Sequence, residues 1–428
     1  MYKKIKSNIL KFKNTGLFDI FGSSIIVKII GFMSSIILVR IVTKEAYGIF
    51  TVAWNVYSVA MLATGFGASY AILQLGCENV NDDKKKKSIF QYGWNYGFKA
   101  NIIIGLVVLL LGLFFPFSIH GAAPLMMMMF LLPLIQFGVE YQSMYLRVEK
   151  KNRAYAISNI VNVGLVLLFS VLGALVIQER GFIVGRYCAY MILIILGVKL
   201  WNVPVHFKKI DIDDTEKKDF RHVSFVSMIN GGISQLLYLI DVFILGMVLP
   251  NENIIASYKV ATIVPTALSF IPTALVTYIF PYFTENRNNG KWCLKKYIQI
   301  TGGMAIVNGI IVAAMIIFAP TIISLMYGNQ YLDAITPFRI LSINYFFSGT
   351  FRAIAGNLLV TQRKLEFNTF VAISSGILNI VADVFFIMKM GSVGAAYATL
   401  SIVLFCCVLN VGYLLITFYR KAKLNLEQ

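Results

Sequence analysis

Charge is scarce in this chain. Asp, Glu, Lys and Arg make up 14% of its 428 residues, and hydrophobic residues 58%. A soluble globule carries roughly 25% charged residues. Too few are present to cover a surface facing water, so lipid is the expected solvent. Histidine is scarcer still: His120, His206 and His222 are scattered and form no metal-ligand cluster. The five cysteines, Cys77, Cys188, Cys293, Cys406 and Cys407, contain no Cys-x-x-Cys spacing. Neither a disulfide framework nor a zinc site follows. There is no Gly-x-x-x-x-Gly-Lys-[Ser/Thr] run, which removes P-loop nucleotide hydrolysis. No Ser/His/Asp or Cys/His constellation points to an enzyme. No metal and no cofactor is expected.

The charge that is present has a sign and an address. The net charge is +18, which alone would suggest a nucleic-acid partner. Placement argues against one, because Lys and Arg sit in short loops between apolar runs. Stretches near 19–41, 46–74, 88–115, 122–146, 154–177, 182–204, 223–248, 255–283, 297–318, 335–360, 366–388 and 393–418 read as about twelve transmembrane helices. A span needs roughly 20 apolar residues. Loops on one side hold 27 of the 38 Lys and Arg; the other side holds 4, Arg40, Lys44, Arg180 and Lys389. The loaded side is expected to be cytoplasmic, with both termini inside. The basic N-terminus (Lys3, Lys4, Lys6, Lys11, Lys13) precedes an apolar run too long for a signal-peptide core and reads as a retained first span. The outside loops are short, which leaves no room for a secreted-side enzyme domain.

The loop 206–222 mixes both signs (Lys208, Lys209, Asp211, Asp213, Asp214, Glu216, Lys217, Lys218). It reads as a solvated linker between two six-helix lobes, 1–205 and 223–428. The lobes echo each other weakly. Glu-Ala-Tyr47 after span one parallels the Glu-containing turn before Tyr258. Glu149-Lys-Lys151 parallels Gln362-Arg-Lys364, and Gly181 to Gly185 parallels Gly391 to Gly394. Both halves begin on the same side, so these are parallel repeats about an axis along the membrane normal, an arrangement common in transporters.

Four motifs carry a family resemblance: Thr43-Lys-Glu-Ala-Tyr-Gly48, Asp241-Val-Phe-Ile-Leu-Gly246, Leu325-Met-Tyr-Gly-Asn-Gln-Tyr331, and Gly391-Ser-Val-Gly-Ala-Ala-Tyr-Ala-Thr399. In their order over essentially the whole chain, they resemble Wzx-type polysaccharide or O-antigen repeat-unit flippases of the multidrug/oligosaccharidyl-lipid/polysaccharide (MOP) exporter superfamily. The resemblance implies an all-α integral membrane fold of two six-helix lobes around a cavity that opens to alternate sides. It implies a transporter of the bacterial cytoplasmic (inner) membrane, not an enzyme, whose cargo is an undecaprenyl-pyrophosphate-linked glycan. Membrane lipids would be further partners, and a polysaccharide polymerase and chain-length proteins possible ones. Alternatives within the superfamily are a lipid II flippase and a multidrug antiporter; the latter would favour acidic residues in its cavity.

Charges inside the spans are costly, about 2.5–3.5 kcal/mol each at a span centre on insertion scales. Lys28, Lys99, Arg186, Lys259 and Arg352 are the candidate cations of a substrate-binding cavity. Asp241, Asp383 and Glu140 are candidates for ion coupling; a structural ion pair between Asp241 and Lys259 is an alternative use. Helical spacing groups Ser24, Lys28, Gly31 and Ser35 on one face. It does the same for Gln91, Asn95 and Lys99, for Ser227, Gly231, Ser234, Tyr238 and Asp241, for Asn344, Ser348 and Arg352, and for Ser375, Asn379 and Asp383. Such stripes either line a wet cavity or serve close helix packing. Pro265 and Pro272 in span eight are candidate hinge residues, with plain curvature as the alternative.

Overall fold

A computed structural model describes residues 17–79, 81–205 and 212–427. The N-terminal lysines and residues 206–211 of the expected linker lie outside the described residues, as do the side chains of Gly231, Ser234 and Tyr238. The described residues are helical, with no strand. The helices are α1 (Leu17–Ile41), α2 (Lys44–Ala60), α3 (Ala68–Glu78), α4 (Asp83–Phe114), α5 (Ala122–Met128), α6 (Leu132–Val148), α7 (Asn152–Trp201) and α8 (Asp214–Val248). They continue as α9 (Glu252–Leu268), α10 (Phe270–Glu285), α11 (Gly290–Ile317), α12 (Ala319–Tyr327), α13 (Ile335–Phe347), α14 (Ala353–Thr361) and α15 (Leu365–Glu427). Each of the twelve expected spans overlaps helix, although the second is broken at Thr64, Gly65 and Phe66. The 50-residue α7 and the 63-residue α15 each hold two, hinged at a break. Exposed Leu, Ile, Val and Phe side chains stud the outside of these helices, as a lipid solvent requires.

The chain divides into two compact units, Met1–Leu239 and Ile240–Gln428, with the boundary inside α8. The first has a core around Ile72, Phe137, Tyr141 and Phe220. The second has a core around Phe283, Ile354, Leu358 and Phe418.

The same local devices recur in both units. Thr43 caps α2 by accepting from Ala46 N–H at 3.2 Å, and Asn251 caps α9 by accepting from Ile254 N–H at 3.1 Å. Asp82 and Asn289 do the same for α4 and α11. Lys150 and Arg363 both have left-handed φ, 54° and 58°. Each forms a Schellman turn: Lys151 and Lys364 N–H donate to Leu146 and Leu359 carbonyls at 2.9 and 3.0 Å, while Lys150 and Arg363 N–H donate to Arg147 and Val360 at 3.0 Å. The break in α7 lies at Gln178 (φ 51°, ψ −130°) and that in α15 at Gly391 (φ 59°, ψ −136°). Three residues after each break a glycine lets the hairpin close. A Cβ on Gly181 would lie 2.1 Å from the Gly173 carbonyl oxygen, and one on Gly394 2.0 Å from that of Phe386. These matches bear out the internal repeat. They also correct one echo: counted from the caps, Tyr47 and Tyr258 are not equivalent.

Three local expectations are revised. Residues 212–222 are not solvated throughout, and from Asp214 they are helical. Ile212 and Phe220 are buried, and the Phe220 ring packs edge-on against Tyr92 and Tyr96 at 5.2 and 5.8 Å. Lys85 Nζ reaches Glu216 Oε1 at 3.3 Å. Apolar residues at these two positions outweigh the polar composition around them. Span four is not one rod: α5 and α6 meet at 52°, with a proline in the first turn of α6. The stripe Asn344, Ser348, Arg352 is interrupted by a π-helical turn, Ser348–Arg352. Its wider repeat turns Arg352 out of the i+4 register. Asn308 anchors this turn, donating to Thr350 Oγ1 at 3.0 Å and accepting from Tyr345 OH at 3.0 Å.

Candidate substrate and ion sites

The C-terminal unit builds a carboxylate cluster from four spans. Asp241 comes from α8, Tyr258 from α9, and Asn379, Asp383 and Thr399 from the two arms of α15. Asn379 Nδ2 donates to Asp241 Oδ1 and to Asp383 Oδ2, both at 2.9 Å. Thr399 Oγ1 donates to Asp241 Oδ2 at 2.6 Å and lies 3.0 Å from the Ala395 carbonyl. Tyr258 OH donates to the same Oδ2 at 3.3 Å. Asp383 is fully buried, and its Oδ1 has no hydrogen-bond partner among the described residues. The pairing of Asp241 with Lys259 is therefore corrected. Tyr258, one residue earlier and about 100° around the helix, takes the face toward Asp241, and no ion pair joins Asp241 to Lys259. Sequence reasoning singled out both carboxylates and Asn379 but gave Thr399 and Tyr258 no role in a site. The signal for Thr399 was its position closing the Gly-x-x-Gly-Ala-Ala-x-Ala-Thr run.

The N-terminal unit holds Glu140 differently. Gln136 Nε2 and Ser69 Oγ each donate to it at 3.2 Å, and Tyr57 OH donates to Gln136 Oε1 at 3.1 Å. Gln136 sits one helical turn before Glu140, a spacing legible in the sequence. The Arg186 guanidinium carbon lies 4.0 Å from the centre of the Trp54 ring. Lys28 is exposed on α1 with Ser24 and Gly31, and a Cβ on Gly31 would meet nothing within 4 Å. Gly31 therefore serves no close helix contact. Ile25, Ile26 and Ile29 are also exposed, so α1 shows a polar and an apolar face side by side. Lys99 is exposed, and Lys259 and Arg352 are half-buried. Pro265 lies inside α9 and Pro272 inside α10, on either side of a helix break at Ser269. The structure thus brings Asp241 and Asp383 together and keeps Glu140 in the other unit.

Broken helices that carry buried charge frame both sites, and comparisons with known proteins place the fold. Residues 15–287 match the family described as polysaccharide biosynthesis protein. The chain belongs to that family. No curated protein matches it by sequence. Among solved structures, it is similar to the lipid II flippase MurJ in an inward closed conformation (TM-score 0.71, 14% identity, covering 94% of this chain and 89% of that one). It is also similar to a multidrug resistance MATE family transporter of the MOP superfamily. The inward-facing form gives a TM-score of 0.73 at 11% identity, covering 93% of this chain and 96% of the other. The outward-facing form gives 0.59 at 12% identity, covering 95% and 96%. At these identities the likeness is one of fold. It bears out the all-α MATE/MOP-like architecture expected from the sequence. This member of the polysaccharide biosynthesis family is a multi-pass membrane protein, with several helices long and apolar enough to cross a bilayer.

Proposed function

We propose that this chain is a flippase that moves undecaprenyl-pyrophosphate-linked oligosaccharide repeat units, of the O-antigen or capsule kind, across the bacterial inner membrane. The supporting observation is ionic. Among the described residues Lys28, Lys99, Arg186, Lys259 and Arg352 form no ion pair, whereas Lys85, Lys86 and Lys217 pair with carboxylates near helix ends. Cations kept at a cost inside spans, without internal counter-charges, are free to meet an anionic cargo. A lipid pyrophosphate cannot cross hydrocarbon bare. Arg offers its oxygens a fork of donors and Lys a point charge. The prenyl tail stays in lipid while lobes 1–205 and 223–428 alternate around a cationic central cavity, with both termini cytoplasmic.

Asp241 and Asp383 supply the coupling. Two carboxylates sharing one amide in a low dielectric call for a proton or a small cation between them. With Thr399 and the Ala395 carbonyl they offer the oxygen donors a hard cation takes. The expected test outcome is that Lys28→Ala and Arg352→Ala each abolish surface glycan without lowering protein level, while Lys28→Arg retains part of it. Normal glycan in the double alanine variant would remove both residues from the mechanism. Rescue of cells depleted of their lipid II flippase would reassign the cargo, and drug resistance on expression would favour an antiporter.

A further inference from the structure

At two pairs of matched positions the two units carry unlike chemistry. Their left-handed residues fix the register: 28 residues separate Lys150 from Gln178, and 28 separate Arg363 from Gly391. Eight residues before the second mark stand Ser170 in one unit and Asp383 in the other; eight after it stand Arg186 and Thr399. Asp383 and Thr399 belong to the carboxylate cluster. Ser170 and Arg186 are a hydroxyl and a guanidinium.

Arg186 is held as a receptor would be. The Trp54 ring fixes its plane at 4.0 Å, and Trp54 is itself braced by Tyr57 at 5.1 Å and Phe50 at 5.7 Å. Its Nε is buried and has no hydrogen-bond partner among the described residues; the Ser170 hydroxyl is buried and equally unpartnered. No carboxylate among the described residues forms an ion pair with the guanidinium, and Glu140 accepts from Gln136 and Ser69. Gly185, the neighbour of Arg186, packs directly on the backbone of Phe169 and Ser170, where a Cβ would lie 2.6 Å from Ser170 N. A buried donor left unmatched is costly, about 1–3 kcal/mol, and a stacked planar fork loses little freedom on meeting an oxyanion.

We propose that Arg186 and Ser170, on the Trp54 platform, form a phosphate-oxygen site inside the N-terminal unit, the register counterpart of the carboxylate cluster in the C-terminal unit. Only the source of the phosphate rests on the flippase reading: the head group of a lipid cargo, or inorganic phosphate from water.

The test uses the full-length protein in lipid nanodiscs, with Trp94, Trp201 and Trp292 changed to Phe so that Trp54 alone reports. Inorganic pyrophosphate and a polyprenyl pyrophosphate are titrated separately. The expected result is a saturable change in Trp54 emission, with Kd raised at least about 10-fold in Arg186→Gln and several-fold in Arg186→Lys, which keeps the charge but not the fork. Response to both probes supports a site reading phosphate alone. Response to the polyprenyl probe only supports a cargo head-group site, and response to inorganic pyrophosphate only supports a site fed from water. No saturable response in the parent protein overturns the proposal. So does unchanged affinity in Arg186→Gln that melts at the parent temperature. A protein that binds pyrophosphate here but exports no glycan would sink the flippase reading and leave this site standing.

Discussion

Spans five and six in the N-terminal unit and spans eleven and twelve in the C-terminal unit turn through nearly the same backbone angles, at Gln178 and Gly391. Each hairpin closes over a glycine three residues on. Yet the acid in one unit stands alone among neutral donors, whereas two acids in the other share a single amide. Duplicated scaffolding has been filled with unlike side chains. Backbone marks survive such divergence because geometry allows few substitutes for them, while ligating groups are free to differ.

The acid comparison is broken or sharpened most strongly by amide substitution. Asp241→Asn with Asp383→Asn should cut surface glycan about 100-fold or more at unchanged protein level, the scale of altering buried charge. Glu140→Gln, which keeps the bonds from Gln136 and Ser69 in shape, should cost about 10-fold or less. Equal losses would mean that the two units share the coupling role. Next come the hairpins. Gly181→Ala and Gly394→Ala should each destabilise by about 1–3 kcal/mol through overpacking against a carbonyl, read as paired losses of melting temperature in detergent. A loss in one alone would undo the match between units. Phe220→Ala has no counterpart in the C-terminal unit and should cost about 3 kcal/mol. Limited proteolysis should then open residues 212–222 while the fragment beyond Ile240 stays resistant. The smallest effect belongs to the capped turns: Lys150→Gly and Arg363→Gly should each stabilise by up to about 1 kcal/mol, since glycine accepts positive φ without strain.

Much of the fold was legible because hydrophobic run length and loop charge are properties of local sequence. Lys150, Lys151, Arg363 and Lys364 marked both topology and repeat. The π-helical turn at Ser348–Arg352 was not legible, because it depends on Asn308 bonding to Thr350 across two helices. The partner of Asp241 was misread for a simpler reason. Matching depth along two spans brings Lys259 level with the carboxylate, but helical phase points Tyr258 at it instead. Thr399 stood out only by closing the Gly-x-x-Gly-Ala-Ala-x-Ala-Thr run, because a threonine within a span ordinarily bonds back to the carbonyl four residues earlier, and this one also lies 3.0 Å from Ala395 O. Phe220 hid behind the charged residues around it.

Lys150 and Arg363 have a consequence for how the chain enters the bilayer. During insertion a basic residue acts through its charge alone, before any helix has packed. In the finished protein the same residue closes a helix end in a conformation that glycine would adopt with less strain. One side chain thus answers to two readers at different times, and the second would be satisfied by a neutral residue. Under the proposed topology the cation also ties the corner of each unit to anionic head groups, so a stabilising glycine there would loosen the grip on the membrane surface even as it eased the turn.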